Sequence, residues 1–136
     1  MHIESLSPSQ FGAAIALWHD AGLIRPWNDP LDDLRRAMAG PASTVLAGTD
    51  DGRLLATAMV GHDGHRGWVY YVAVRPDQRG RGHGRAIMRA CETWLSARHV
   101  PKIDLMVRTE NDGVLAFYRA IGYGRDEVFV MSKRLR

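Results

Sequence analysis

Residues 68–85 decide the fold, and they read WVYYVAVRPDQRGRGHGR. Their first part, Trp68 to Val74, is almost entirely apolar and rich in β-branched and aromatic residues, a pattern typical of a strand covered on both faces. Their last part, Arg79 to Gly84, has a glycine at every second position. The apolar residues that follow, Ile87, Cys91 and Leu95, recur at helical spacing. The stretch therefore predicts a central strand, a tight turn and an amphipathic helix.

The glycine turn has the chemistry of an anion site. Backbone N–H groups converge where a helix begins, and glycines let a ligand approach the backbone closely. Arg79, Arg81 and Arg85 can add charge-assisted hydrogen bonds. A Walker loop would need a lysine that this segment lacks, and a dinucleotide fingerprint would need its third glycine where Arg85 or Ile87 stands. We expect a phosphate or pyrophosphate site of another kind; the alternative is that the glycines only turn the chain.

The elements around this stretch predict an α/β protein with one mixed sheet. Capping residues at Ser7 and Asp29 open two helices, and Thr49 to Gly52 has the composition of a hairpin turn. The element order is β-α-α-β-β-β-α-β-α-β, within one domain over residues 1–136. The strands outside the quoted stretch are expected at His2–Leu6, Thr44–Gly48, Arg53–Val60, Ile103–Val107 and Val128–Met131, with the last helix at Val114–Ile121.

Composition restricts the classes of protein that need consideration. Hydrophobic residues make up 46% of the 136 residues and charged residues 24%, as in an ordinary globular domain. The single cysteine, Cys91, excludes a disulfide framework and a four-thiolate zinc site. Neither a leader-like N-terminus nor a long apolar run is present, so a cytoplasmic location without membrane contact is expected.

A nucleic-acid partner is not expected, although the net charge is +3 and the pI about 9.4. The positive charge is mostly arginine spread along the chain, with local density only around the glycine turn, at Arg75, Arg79, Arg81, Arg85 and Arg89. An RNA-binding sheet would also need exposed aromatic side chains on one face. Simple strand alternation places Tyr70 and Tyr71 on opposite faces.

Several motifs together resemble the GNAT acetyltransferases over essentially the whole chain. They are Arg-x-x-Gly-x-Gly from Arg79, the strand end Val72 to Pro76 before it, Asn111, Phe117-Tyr118 and Gly122-Tyr123. The resemblance is greatest to short stand-alone bacterial members. It implies a GNAT-like fold whose central parallel strands splay apart, with acetyl-CoA as cosubstrate and no metal.

The resemblance also implies roles for individual residues. Backbone groups of the strand end would pair with the pantetheine arm, and the glycine turn would hold the pyrophosphate. Asn111 would bond the cofactor, and Tyr118 would both contact it and give its proton to the leaving thiolate. The residues implied for cofactor binding are Val72, Ala73, Val74, Arg79, Gly80, Arg81, Gly82, His83, Gly84, Arg85, Asn111 and Tyr118.

The acceptor side of the site is less defined by the sequence. The loop from Leu23 to Pro30 corresponds to one that borders the acceptor in this superfamily, and Arg25, Trp27 and Asn28 are its candidate contacts. Trp27 covering the core and Asp29 capping a helix would be the structural alternative. His65 is a further candidate contact.

The residue that deprotonates the amine stays open at this stage. Trp68 occupies the strand position that carries a catalytic glutamate in some relatives. The substitutes by location are His65, Asp63, His62, Glu110 and an ordered water.

The expected reaction is acetyl transfer to a primary amine, either a small metabolite or a protein N-terminus, by direct attack in a ternary complex. A catalytically weak CoA-binding sensor or regulatory partner is the alternative. The acceptor amine stays open, and so does a homodimeric state.

Overall fold

A five-stranded sheet with helices on both faces organises the protein, as seen in a computed structural model that describes residues 1–135. The strands lie in sequence order, antiparallel from β1 to β4, and β5 is parallel to β4. The strands are β1 His2–Ser5, β2 Ser43–Asp50, β3 Arg53–His62, β4 Gly67–Val74 and β5 Ile103–Leu105. The α-helices are α1 Phe11–Asp20, α2 Pro30–Ala39, α3 His83–Ser96 and α4 Asp112–Ala120.

The predicted helix starts are confirmed. Ser7 and Gln10 form a capping box around the short 3-10 turn Pro8–Gln10 that leads into α1. At the start of α2, Asp29 Oδ1 accepts hydrogen bonds from the N–H groups of Leu31 at 3.0 Å and Asp32 at 3.3 Å. These bonds satisfy N–H groups that have no partner within the helix.

The two faces of the sheet have separate cores. Toward α1 and α2, Trp18 and Leu34 pack on Val45 of β2, and all three are fully buried. Toward α3, a Cβ added at Gly67 of β4 would lie 2.5 Å from the Leu95 side chain, so a larger residue there would require Leu95 to shift. Because β4 is covered on both sides, its apolar sequence is explained.

A β-bulge interrupts β4 at Tyr71. The register with β3 shifts there, and Tyr71 has a φ of +52° although it is not glycine. Tyr70 lies opposite Met59, which packs on the α1 and α2 core, and the Tyr71 ring stacks on Trp18 of α1. The expectation that Tyr70 and Tyr71 point to opposite faces is therefore wrong, because the bulge breaks simple alternation.

The chain divides into two units, Met1–Met106 with the sheet and α1 to α3, and a second from Val107 onward with α4. The fold class is confirmed, and a single domain stays a prediction. The strand expected at Val128 to Met131 is wrong, since these residues pair with no strand and Phe129 is 96% exposed. A run of strand-forming residues alone does not make a strand when no partner bonds its backbone.

None of the helices in the part of the chain that the structure describes combines the length and the apolar character needed to cross a membrane.

Candidate functional site

The two parallel strands, β4 and β5, separate along their length. β5 pairs with β4 at Gly67, Trp68 and Val69 and ends at Leu105, whereas β4 continues to Val74. Within the sheet, the second half of β4 is therefore paired on its β3 side alone. This separation agrees with the splay that the resemblance implied.

The backbone orientation in this half of β4 follows from one hydrogen bond. The N–H of Arg75 donates to Leu55 O of β3 at 2.8 Å. Since alternate N–H groups of a strand point the same way, that of Ala73 also points toward β3. Those of Val72 and Val74 point to the opposite edge, which β5 leaves open. Ala73 differs from Val72 and Val74 in two ways: its N–H points toward β3, and its side chain is buried.

The glycine turn, which follows β4 in the sequence, provides further backbone donors. Gly80 and Gly82 have φ values of +78° and +82°, a region that side chains strain. Gly82 is the N-cap of α3 and has no side chain to cap it. The first-turn N–H groups, those of His83, Gly84 and Arg85, have no partner within the helix. A Cβ added at Gly80 or Gly82 would meet no protein atom within 4 Å, so the space beside both glycines is open.

Three of the five clustered arginines lie in the glycine turn or directly after it and are available to bind an anion there. Arg79, Arg81 and Arg85 are exposed, and Arg81 makes only a long 3.4 Å hydrogen bond to Gln78 Oε1 among the bonds described. Arg75 instead pairs with Asp77 at 3.2 Å, and this bond lowers the pKa of Asp77. Arg89 lies on α3 and lines a groove with Leu46 and Trp94.

The loop between α1 and α2 divides into structural and exposed residues. Arg25 Nη1 donates to Gly22 O at 2.7 Å and Ile24 O at 3.3 Å, which holds the backbone after α1. Trp27 is 53% exposed, and Asn28 is also exposed. Thus Asp29 is a cap, Trp27 does not cover the core, and Arg25 has a structural role that the sequence did not reveal.

The second unit contains Asn111 and Tyr118. Asn111 Oδ1 accepts from the N–H of Val114 at 3.3 Å and caps α4, leaving the amide NH₂ as the group suited to donate to a ligand. Tyr118 is buried, with its ring edge-on to Phe117 at 5.0 Å and to Tyr123 at 5.6 Å. The cap of α4 and the expected bond to the cofactor therefore use different atoms of the Asn111 side chain.

A family model described as the acetyltransferase (GNAT) family matches residues 12–123. The chain belongs to the GNAT acetyltransferase family. A Yersinia enterocolitica protein named acetyltransferase is 38% identical over 99% of this chain and 96% of its own length. The resemblance drawn from the glycine turn and Tyr118 is thus confirmed at the level of the family, which places this chain among acetyltransferase enzymes.

Two solved structures show similar folds. An aminoglycoside 6'-N-acetyltransferase from Acinetobacter haemolyticus has a TM-score of 0.82 and 16% identity, with 100% of both chains covered. A ribosomal-protein-alanine N-acetyltransferase from Escherichia coli has a TM-score of 0.76 and 26% identity, covering 89% of this chain and 76% of that one.

The candidate bases of this GNAT chain are narrowed by geometry. Asp63 Oδ1 accepts from the N–H groups of His65 at 2.9 Å and Arg66 at 2.8 Å, and these bonds lower the pKa of Asp63. A carboxylate held in this way is a poor proton acceptor. The His62 ring lies 6.2 Å from that of Trp94 on the α3 side. His65 and Glu110 are exposed, and neither is distinguished by its surroundings.

Two polar residues near the splay were missed by the sequence analysis. Thr57 is fully buried in β3 and bonds both Trp18 and Tyr71, and Asp33 of α2 accepts a hydrogen bond from the Tyr71 phenol. The signal for Thr57 was a hydroxyl within the apolar run LLATAMV, since a buried hydroxyl requires partners. Within residues 1–135, no three His, Cys, Asp or Glu side chains cluster as metal ligands.

Proposed function

We propose that the protein transfers an acetyl group from acetyl-CoA to a primary amine. The observation that carries this proposal is the open edge of β4, along which the N–H groups of Val72 and Val74 point away from β3. An extended pantetheine arm can hydrogen-bond such an edge as an added strand does. Membership of the GNAT family also supports acetyl-CoA as the acetyl donor.

The pyrophosphate of the donor fits the glycine turn. The N–H groups at the start of α3 and the positive end of its dipole favour an anion. Open space beside Gly80 and Gly82 allows close approach, and exposed Arg79, Arg81 and Arg85 supply charge. We further propose that the Asn111 amide donates to the cofactor, while its oxygen keeps α4 capped.

Acetyl-CoA supplies a thioester carbonyl that a neutral amine can attack, with a C–N bond formed and the C–S bond broken. In our proposal the N–H of Val72 donates to the carbonyl oxygen as negative charge develops there. Tyr118 then gives its phenolic proton to the departing sulfur. The amine loses its own proton to water or to an exposed group such as His65, and Tyr118 regains one from solvent.

Direct transfer is favoured because the chain has no suitable thiol for an acyl-enzyme. Cys91 is the only cysteine, it is fully buried, and burial raises the pKa of its thiol to about 12. A thiol needs its thiolate form to act as a nucleophile. Cys91 is therefore a core residue, which supports direct attack of the amine on the thioester.

For the acceptor we propose a small amine or a protein N-terminus, approached from the exposed Trp27 and Asn28 side of the loop. The names of the two similar structures mention an aminoglycoside and a ribosomal-protein alanine, which are examples of both classes. A cytoplasmic location, and the absence of nucleic-acid and membrane partners, stay predictions. A homodimeric state also stays open.

A CoA-binding sensor is the second candidate, and Trp68 in place of a glutamate is the observation that favours it. The deciding experiment measures thiol release from acetyl-CoA with a panel of small amines and short peptides with varied N-termini, beside calorimetry with CoA. Amine-dependent thiol release supports the enzyme. CoA binding without thiol release for any amine supports the sensor, and absence of binding contradicts both.

A further inference from the structure

Tyr71 has a backbone conformation that needs support. Its φ of +52° lies in the left-handed region, which is uncommon for a bulky residue and is strained. It lies in the middle of β4, where an extended conformation would continue the ladder with β3. Other contacts must therefore hold Tyr71 in place.

Thr57 supplies the support from β3. Its Oγ1 accepts a hydrogen bond from Trp18 Nε1 at 2.8 Å and donates to Tyr71 O at 3.0 Å. An indole N–H can only donate, so Thr57 must accept there and has one proton left to give. That proton points at the Tyr71 carbonyl. The Trp18 ring also stacks on the Tyr71 ring, with centroids 3.9 Å apart.

This bond fixes the direction of the next N–H group. Tyr71 O and Val72 N–H belong to one planar trans peptide, in which the carbonyl and the N–H point in opposite directions. Because Tyr71 O points toward Thr57 of β3, the N–H of Val72 points away from β3, into the open edge of β4.

We propose that Thr57 is a positioning residue for acetyl transfer: together with Trp18 it orients the Tyr71–Val72 peptide so that Val72 N–H faces the reacting carbonyl. This role rests on the proposed function. A donor aimed in advance at the developing charge needs no reorientation during the reaction. Without the Thr57 hydroxyl, the Tyr71 carbonyl loses this bond, and the Tyr71–Val72 peptide can rotate through ψ of Tyr71 and φ of Val72.

The test compares Thr57→Val, which keeps the shape and loses the hydroxyl, with Thr57→Ser, which keeps the hydroxyl. Thr57→Val should lower kcat by about 10-fold or more, since loss of one oxyanion donor costs about 10² to 10³. Thr57→Ser should recover most of that loss. Thr44→Val is the matched control, because Thr44 is a buried threonine of β2 that bonds Ser5 at 3.0 Å and does not touch β4 through its hydroxyl.

Crystal structures of the unliganded variants give a readout independent of activity. The Tyr71 carbonyl should turn away from β3 in Thr57→Val and stay in place in Thr57→Ser. If Thr57→Val does not fold, Trp18→Phe keeps the stacked ring, removes the donor and should also lower kcat.

An unchanged Tyr71–Val72 peptide together with a kcat within about twofold of wild type would overturn the role of Thr57, being far less than the loss of a donor. A loss of kcat in Thr44→Val equal to that in Thr57→Val would also overturn it. If wild-type protein transfers no acetyl group, the proposed function fails, and the peptide orientation still decides whether Thr57 sets it.

Discussion

Tyr71 and Asp33 are joined by a 2.7 Å hydrogen bond from the phenol to Oδ2, which ties β4 to α2. Asp33 also accepts from Arg36, one turn further along α2. Burial raises the pKa of Tyr71, and the bond to Asp33 raises it further. The phenol is therefore held protonated, and its bond to Asp33 anchors the side chain of the bulge residue that precedes Val72.

Stability should fall in alkaline solution because of this bond. An unfolded tyrosine releases its proton near pH 10, whereas folded Tyr71 keeps it, so the native state binds more protons above that pH. The stabilisation is thus complete below about pH 10 and is lost as the pH rises toward the folded pKa. Tyr71→Phe should cost about 1 kcal/mol at pH 7, allowing for partial exposure, and flatten the alkaline decline.

Urea unfolding between pH 7 and pH 11 measures both effects. Tyr70→Phe is the control, since Tyr70 is 44% exposed and burial raises its pKa without the hydrogen bond to a carboxylate that Tyr71 makes. It should change the free energy of unfolding little at pH 7. Equal alkaline declines in wild type and Tyr71→Phe would contradict this account.

The sequence predicted well those features that depend on short-range chemistry. Caps at Ser7 and Asp29, the central strand and the positive φ of the glycine turn follow from local residue types. The bulge could not be predicted, because it depends on bonds from Thr57 and Trp18, which are distant in sequence. For the same reason the faces of Tyr70 and Tyr71 were assigned wrongly.

Arg25 and the segment Val128 to Met131 illustrate two further features that the sequence could not predict. The role of Arg25 in bonding Gly22 O depends on the path of the loop, which residue types do not specify. The last apolar segment has strand composition, but pairing requires a partner edge that composition cannot supply.

The glycine turn can be tested without confusing steric block with backbone strain. Gly82→Asn adds a side chain that tolerates the left-handed region, so its effect should come from occupied space. We expect the Kd for CoA to rise about 10-fold or more, equivalent to about 1.4 kcal/mol, because the pyrophosphate can no longer approach the backbone. Calorimetry with CoA measures this.

Gly52→Asn is the matched control for Gly82→Asn. Gly52 has a φ of +75° in the hairpin between β2 and β3, and an added Cβ there also meets no atom within 4 Å. CoA affinity should be unchanged in this variant. A folded Gly82→Asn protein with wild-type affinity would remove the glycine turn from the binding site.

Cys91 should be chemically silent in the folded protein. With a pKa of about 12, its thiolate fraction at pH 8 is about 10⁻⁴, and the side chain is fully buried. An aromatic disulfide reagent should therefore label the native protein slowly and the urea-unfolded protein rapidly, with one equivalent. Cys91→Ala should keep its acetyl transfer while losing stability; abolished transfer in a stably folded variant would point to an acyl-enzyme.

The acceptor loop should separate amine recognition from cofactor binding. Trp27→Ala removes the exposed ring and should raise the amine KM several-fold, because the ring would bind the amine equally in the ground state and the transition state. CoA affinity should stay near wild type. Arg25→Ala is the comparison, and loss of its bonds to Gly22 and Ile24 should appear as a lower melting temperature. An unchanged amine KM in Trp27→Ala would exclude this side chain from the acceptor surface.

Tyr118 provides the most direct test of the chemistry. Tyr118→Phe keeps the ring contacts with Phe117 and Tyr123 but has no proton to give, so kcat should fall by about 10²-fold or more, the usual scale for a general acid. CoA affinity should change little. Tyr123→Phe is the matched control in the same unit and should retain most of its kcat.

The role of Tyr118 also predicts a dependence on the leaving group. A thiol with a pKa of about 8.5 leaves with some difficulty unprotonated, whereas a more acidic thiol needs less help. The defect of Tyr118→Phe should therefore shrink when the acetyl donor is an activated thioester. The measurement compares kcat for the two donors at saturating amine, under conditions in which chemistry limits the rate. A near-normal kcat with acetyl-CoA itself would assign the proton to water or to the attacking amine, because a phenyl ring cannot supply one.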